Sequence, residues 1–347
     1  MKNDNSRIIK ILGAGISGLS TAVMLAKNGL KVKVFEKNSH AGGRFKRDFQ
    51  CLRNFGDITI DPIAEFEKLG ISLKPYKKLN RIFRYSQSRY FEVVSDDQPI
   101  YYLVLRGSSK NSIDSQLKNL AITQGVNIKY RTKLNINEVD IVATGPFKAD
   151  GLAYGAIYED TNLDKAGYVF LDRRHSPNGY LYALPGEKKG EASVINVTRD
   201  SASSLQIIKS SFNHALQENI VLKDLLKGAT KKSIEQGIGC FTLLDNFYLN
   251  NKYYVGEAAG LQDAIAGFGI RYAIISGFLA AQSILTGKDY NLLLDETFSS
   301  QWKFERNRSV NFKKLTNSEI DKTFKTVNDK FGRELTLEEY ESLRGDI

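Results

Sequence analysis

The chain is poor in the residues that build covalent or metal chemistry into a fold. Only two cysteines, Cys51 and Cys240, and three histidines occur in its 347 residues. That is too few for a disulfide framework or a metal site, so no metal is expected, and it points to a reducing, cytoplasmic setting. No uninterrupted apolar run of about 18 residues occurs, which excludes a bilayer-spanning helix. No nucleophile–base pair stands out. There are only six prolines, and the chain is 42% hydrophobic and 25% charged. This is ordinary globular composition, with length for roughly two domains.

Charge of one sign is in excess, at a formal +10. Such a balance suits nucleic acid, an anionic membrane surface or a phosphorylated ligand. Basic residues gather loosely in 74–89 and 223–232, without density and without a nucleic-acid motif. A solvated basic face and no nucleic-acid partner are expected. The 74–89 patch equally suits an acidic ferredoxin-like protein or peripheral contact with anionic lipid.

The first apolar stretch, RIIKILGAGISGLSTAVMLA, has the hydrophobicity of a signal peptide, but its glycine spacing and the strand after it say otherwise. IIKIL, residues 8–12, reads as a buried parallel strand. Gly13-Ala14-Gly15-Ile16-Ser17-Gly18 follows, and Leu19, Ala22, Val23 and Ala26 continue at helical spacing until Asn28-Gly29. KVKVFE is the second strand, ending at Glu36-Lys37. The whole is a βαβ unit with a G-x-G-x-x-G turn. Gly13 permits the tight turn, Gly15 the close approach of a pyrophosphate, and Gly18 the packing of helix on strand. The helix start offers free N–H groups and a positive dipole end to phosphates. Glu36 stands where a carboxylate accepts from a ribose diol.

Ser39-His40-Ala41-Gly42-Gly43-Arg44 completes the pattern E-x5-GGR. In this the sequence resembles flavoproteins of the glutathione-reductase type, which implies FAD. The resemblance lets Gly42 and Gly43 pass close to diphosphate and ribityl chain, with Arg44 adding a cation. In residues 101–130, Ile113, Leu117, Leu120 and Ala121 form a helical stripe, and VDIVATGP is a strand ending at Thr144-Gly145. By the same resemblance that end passes near the cofactor and Arg106 approaches the diphosphate. An ordinary surface arginine is the competing reading.

Residues 253–287 run strand, small-residue loop, helix: Gly256-Glu257, then Gly267-Phe268-Gly269-Ile270 leading into an apolar helical repeat. An isoalloxazine ring against this loop explains the glycines, with Gly267 and Gly269 exposing backbone N–H groups and Glu257 accepting from a ribityl or ribose hydroxyl. A helix start there stabilises negative charge on a reduced flavin. The alternative is close helix–helix contact through small residues.

These segments resemble the geranylgeranyl reductase family of FAD-dependent oxidoreductases, whose members share a fold with aromatic hydroxylases of the p-hydroxybenzoate hydroxylase type. The family's third segment reads roughly G-D-A-A-G-x-x-x-P-x-x-G-x-G-I, against GEAAGLQDAIAGFGI here. Glu257 keeps the carboxylate, Ala264 replaces a proline, and Phe268 stands where an acid often sits. A fourth match is P-x-x-Y-x-W-x-F-P, here Pro177 to Pro185 as PNGYLYALP. Within it Tyr180, Tyr182 and Leu184 share strand parity and face one side. That face suits a prenyl chain, or is plain sheet core. The family's loop cysteine has no good counterpart. Cys51, in DFQCLRNFGD, is expected to be a buried small hydrophobe, with Asn54 to Asp57 shaping its loop.

The expected fold is α/β. A Rossmann-type FAD-binding domain is assembled from residues 1–71, 101–150 and 241–295. An antiparallel sheet domain for substrate, 72–100 and 151–240, is inserted, and 296–347 form a helical tail. Thr316-x-x-Glu319 and Thr336-x-x-Glu339 are capping boxes within it, and Phe298, Trp302, Phe312 and Phe324 are available for docking. No side chain is assigned as catalytic, so a flavin carries the chemistry. The resemblance implies reduction of a C=C bond in an isoprenoid or other apolar, lipid-like substrate, with NAD(P)H or a ferredoxin-like protein as reductant. A monooxygenase would favour G-D-x-x-H-x-x-x-P in the third segment, and a halogenase a W-x-W-x-I-P strand. A flavin-binding protein without turnover is the remaining alternative.

Overall fold

The computed structural model describes residues 7–56, 58–199 and 204–343; Asp57 and the last four residues of the tail lie outside them. Ile8–Leu12 forms the centre of a six-stranded sheet. It pairs in parallel with Lys31–Phe35 on one side and Ile141–Val142 on the other. Asn127–Lys129 and Lys252–Tyr254 extend the parallel set, and Tyr248–Leu249 closes the edge antiparallel. This order brings residues far apart in the chain to adjacent strand ends, where α/β folds place their ligands.

The helix Ile16–Lys27 is buried along most of its length, between Ile113–Thr123 and Ile270–Thr286. The contact with Ile270–Thr286 is close because Gly277 lacks a side chain. A Cβ there would meet the Ser17 carbonyl oxygen at 2.7 Å and Thr21 Oγ1 at 2.9 Å. The largest apolar core surrounds these helices and the central strands.

A second sheet has eight strands in the order Thr230–Gly239, Gly151–Glu159, Ala192–Thr198, Gly179–Pro185, Gly167–Phe170, Arg81–Tyr85, Tyr90–Val94 and Glu334–Thr336. It departs from the expected antiparallel sheet in two places. Gly167–Phe170 runs parallel to Arg81–Tyr85, and Glu334–Thr336 runs parallel to Tyr90–Val94. Both parallel pairs join segments distant in sequence, so no hairpin turn constrains their direction. The segment 72–100 is also divided. Lys77–Leu79 pairs with Tyr101–Gly107 in a third, three-stranded sheet that carries Arg47–Arg53 on its other side.

The tail is not purely helical, and its first helix starts before residue 296. Tyr290–Lys314 is one continuous helix, capped by Asp289. Asn317–Phe331 and Leu337–Ser342 follow, each opened by the expected capping box, with the strand Glu334–Thr336 between them. Phe324, Ile320, Val327, Leu335 and Leu337 are buried against Phe91, Ile82 and Leu79. The tail therefore completes the core beneath the second sheet. Phe298 and Trp302 instead join the first core.

Candidate functional site

Between the two large sheets lies a cavity of about 1230 Å³. That exceeds the roughly 300–1,000 Å³ common for a single drug-sized ligand. It runs from the end of the first strand, past the Gly267–Gly269 loop, to the tail helices. Gly13, Gly15, Ile16, Ser17, Glu36, Lys37, Gly43, Arg44, Arg106, Thr144 and Gly145 line one end. Glu257, Gly267, Phe268, Gly269 and Ile270 line the middle, facing Tyr180, Tyr182 and Leu184 on the second sheet. Ala14, Gly18 and Gly256 do not reach the cavity surface.

The residues at the first end fit the diphosphate half of a dinucleotide. A Cβ on Gly15 would meet nothing within 4 Å, whereas one on Gly18 would lie 2.1 Å from the Gly13 carbonyl oxygen. One glycine faces open space and the other closes helix onto strand. The helix that starts at Ile16 has no side-chain cap and no acid in its first turn, so its leading N–H groups are offered to an anion. Glu36 is 6% exposed. Its Oε2 accepts from the Ala14 N–H at 2.8 Å, and its Oε1 from the Asn38 N–H and Nδ2 at 2.8 and 2.7 Å. The carboxylate thus braces the glycine turn from below while lining the cavity.

Five residues that the resemblance sets at the cofactor also have protein partners of their own. Gly42 and Gly43 are required by protein neighbours: their Cβ atoms would fall 2.4 Å from Asp114 Cγ and 2.6 Å from Asn38 Cβ. Arg106 does line the cavity, yet its fork is committed. Nε and Nη2 donate to the two oxygens of the fully buried Asp114 at 2.9 and 3.1 Å, and Nη1 to Gln50 Oε1 at 3.1 Å. Arg44 and Glu257 form an ion pair with each other, and Arg44 also donates to the Ile238 carbonyl.

At the middle of the cavity the glycines divide between the two readings of this loop. Gly256 serves packing, since a Cβ there would lie 2.8 Å from Ser17 Oγ. Gly267 and Gly269 face the cavity, with the Gln262 side chain their nearest neighbour, at 3.3 and 3.6 Å. Gln262 Nε2 donates to the Gly267 carbonyl at 2.6 Å, while its buried Oε1 has no partner. An orphaned acceptor beside an uncapped helix start fits the hydrogen-bonding edge of a flavin ring. The loop is shaped from beneath by Asp263, whose Oδ1 accepts from the N–H groups of Ile265 and Ala266 at 2.6 and 2.9 Å. Its Oδ2 meets Arg53 at 3.2 Å, and Arg53 in turn meets Glu305 of the tail at 3.3 Å. Burial, aided by Asp263, pushes the Glu305 carboxyl well above its ordinary value.

Reading the sequence did not identify several residues of this site. Phe312, Leu315, Ile320 and Phe324 from the tail line its far end. Arg199 is 2% exposed behind Phe241, 4.4 Å from that ring, with Nε and Nη1 unpartnered. Cys51 is half-buried rather than fully buried and lines the cavity; its thiol is pushed up by burial. On the same strand, Asp48 is 9% exposed, and burial raises it from 3.8 to about 6 despite the Gln50 hydrogen bond and Arg106. The alternation of Asp48 and Gln50 on a strand was the one available signal.

The Asp48 shift makes a stability prediction. An acid raised in the folded state favours folding while protonated, so its contribution is lost as pH rises from about 4 to 6. A shift of that size corresponds to about 3 kcal/mol. Urea unfolding of the wild type should therefore show a steeper fall between pH 4 and 6.5 than Asp48→Asn. Parallel curves would refute it.

Among the described residues no group of three or more His, Cys, Asp or Glu side chains is placed to hold a metal ion. Nor is any described helix long and apolar enough to cross a membrane.

Residues 11–57 match the NAD(P)-binding Rossmann-like domain. A geranylgeranyl bacteriochlorophyll reductase-like protein from Thermoplasma acidophilum superposes with a TM-score of 0.74, at 18% identity, over 98% of this chain and 100% of that one. The p-nitrophenol 4-monooxygenase PnpA from Pseudomonas putida gives 0.67 at 14% identity, covering 98% of both chains. The fold is thus the one that the geranylgeranyl bacteriochlorophyll reductase-like protein and PnpA share. In sequence, hydroxysqualene dehydroxylase from Sinorhizobium fredii is 49% identical over 53 residues, 15% of this chain and 12% of that one. The chain spans only that small share of this relative's length.

Proposed function

We propose that the chain binds FAD along this cavity and reduces a C=C bond of an isoprenoid or similarly apolar substrate. One observation carries the reading. The aromatic and aliphatic row of Tyr180, Tyr182 and Leu184 shares with the Gly267–Gly269 loop a cavity that runs on to Phe312, Leu315, Ile320 and Phe324, with Arg308, Asn311 and Thr323 among them. A long hydrocarbon chain fits such a path better than a compact polar substrate does. Bound FAD would supply the redox chemistry, passing two electrons to the substrate once it has itself been reduced.

The chain's own residues supply placement. The Gly15 turn and the helix start at Ile16 hold the diphosphate, and Glu36 the adenosine ribose. Gln262 Oε1 and the uncapped helix start after Gly269 would meet the polar edge of the ring, whereas the Gly267 N–H, expected to be free, donates to the Asp263 carbonyl at 3.0 Å. Tyr180 donates its hydroxyl hydrogen to the Ala266 carbonyl, tying the substrate face to the loop. NAD(P)H or a ferredoxin-like protein is the proposed reductant, at the basic face of 74–89, and a cytoplasmic chain in peripheral contact with a membrane is the proposed setting.

The test is the visible spectrum of protein purified with added FAD, reduced chemically under nitrogen and then given a polyprenyl lipid. Reoxidation without oxygen is the expected result. Absence of any flavin band would overturn the cofactor assignment. Reoxidation only in air would leave a monooxygenase, for which the PnpA fold speaks and the missing His and Pro speak against.

A further inference from the structure

We propose that Asp48 is the acid that protonates the substrate, delivering the second hydrogen of C=C reduction from the strand wall of the cavity. The inference rests on the reductase reading above and names a residue for a step that reading leaves open. Saturating a C=C bond adds a hydride to one carbon and a proton to its neighbour. With the hydride supplied by the reduced flavin, the proton must come from water or from a side chain. The apolar cavity favours a side chain.

Among the described residues the carboxyls lining the cavity are Glu36, Asp48, Glu235 and Glu257. Glu36 is engaged by three N–H donors and Glu257 is ion-paired with Arg44. Glu235 lies half-buried on the edge strand, its carboxylate accepting from Ser233. Like Glu36, Asp48 is buried with no cation bonded to it, but a single side-chain donor reaches its carboxyl. Its Oδ2 accepts from Gln50 Nε2 at 2.6 Å, and Gln50 is itself held by Arg106, which is anchored on Asp114. The relay Asp114–Arg106–Gln50–Asp48 fixes the carboxyl's orientation.

The hydroxyls of Tyr180 and Tyr182 and the Cys51 thiol share the cavity, but burial holds all three above their ordinary values, too firmly protonated to serve as acids near neutrality. The charged groups bearing on Asp48 are Arg106 from the neighbouring strand, Glu235 from the second sheet and Arg44 from the Gly43 loop. Arg106 and Arg44 favour the carboxylate, while burial and Glu235 favour the acid, and the acid prevails up to about pH 6. In the step, the Asp48 O–H bond breaks and a C–H bond forms. The carboxylate left behind regains its proton from solvent.

The experiment follows FAD-loaded wild type, Asp48→Asn and Asp48→Glu through anaerobic chemical reduction and reoxidation by a polyprenyl lipid. Protein labelled at aspartate carboxyls with ¹³C reports the titration of Asp48 directly. Wild type should show a carboxyl resonance titrating near 6 that is missing in Asp48→Asn. All three proteins should bind and reduce FAD alike. Asp48→Asn should reoxidise about 100-fold more slowly or worse, and Asp48→Glu should recover part of the rate. The wild-type rate should fall about tenfold per pH unit above the Asp48 value, a limb that Asp48→Asn lacks.

Wild-type reoxidation rates in Asp48→Asn, or a carboxyl ionised throughout pH 5–8, would overturn the assignment. Should Asp48→Asn fail to fold, the wild-type resonance and pH limb decide, and a flat profile overturns it. A wild type that binds no flavin, or that the lipid does not reoxidise, overturns the reductase reading and this assignment with it. The failing protein, wild type or variant, tells the two apart.

Discussion

Gly18→Ala is expected to destabilise the protein by about 3 kcal/mol or more, the upper range for overpacking. Its new methyl would sit 2.1 Å from the Gly13 carbonyl oxygen and 3.1 Å from Ala143 Cβ. The first of these is backbone and cannot step aside without unseating the strand end. Gly15→Ala, three residues earlier, should behave in the opposite way. With nothing within 4 Å of that methyl, stability should change by less than about 0.5 kcal/mol. The methyl would intrude on the space offered to the diphosphate, and FAD affinity should fall by a factor of about 10 to 100. Urea unfolding and fluorimetric FAD titration of both variants check the pair. Equal loss of stability at both positions would remove the distinction between a packing glycine and a phosphate-facing one.

Arg53→Met should cost about 3–5 kcal/mol at neutral pH, because it strips the cation from two buried carboxylates at once. Asp263 and Glu305 are 1% and 2% exposed at their side chains, and Arg53 stands between them. Part of the loss should return on adding Glu305→Gln, which removes one of the stranded charges. Tyr272 donates to Glu305 Oε2 at 3.0 Å and Gln301 Nε2 to Oε1 at 2.8 Å, so that site retains polar partners. Because burial already raises Glu305, the loss should shrink as pH falls and that carboxyl takes up its proton. The same triad fastens the tail helix to the Gly267–Gly269 loop. FAD bound to Arg53→Met should therefore show a broadened or shifted visible spectrum even in molecules that remain folded.

The parts of this protein written in short-range pattern are legible in the amino-acid sequence alone. The βαβ unit shows itself through a glycine turn flanked by a period-2 strand and a period-3.6 helix. The two capping boxes need only four residues each. Tyr180, Tyr182 and Leu184 share a face because strand parity requires it, and they do line the cavity. The division of labour among glycines is not legible in that way. Gly256 and Gly267 sit in the same small-residue loop, and both have positive φ, 60° and 72°. What separates them is that the Ile16–Lys27 helix lies against the first and the cavity against the second.

What the sequence by itself determined is therefore local: the glycine turn after the first strand, the acid at the end of the second strand, the small-residue loop before a buried helix, the aromatic strand face and the helix caps. Each depends on contacts within a few residues, whose chemistry backbone geometry dictates. Only the tertiary structure decided that Arg106 spends its fork on Asp114, that Arg44 and Glu257 pair with each other, and that the tail closes the cavity and adds a strand to the second sheet. It alone placed Asp48 in a buried wall without a bonded cation. Most of those outcomes depend on which groups meet across long stretches of chain, as Arg44 and Glu257 do over 213 residues, and on how much water is left between them. Burial sets the charge state of a carboxyl, and burial is a property of the assembled fold rather than of any segment in it.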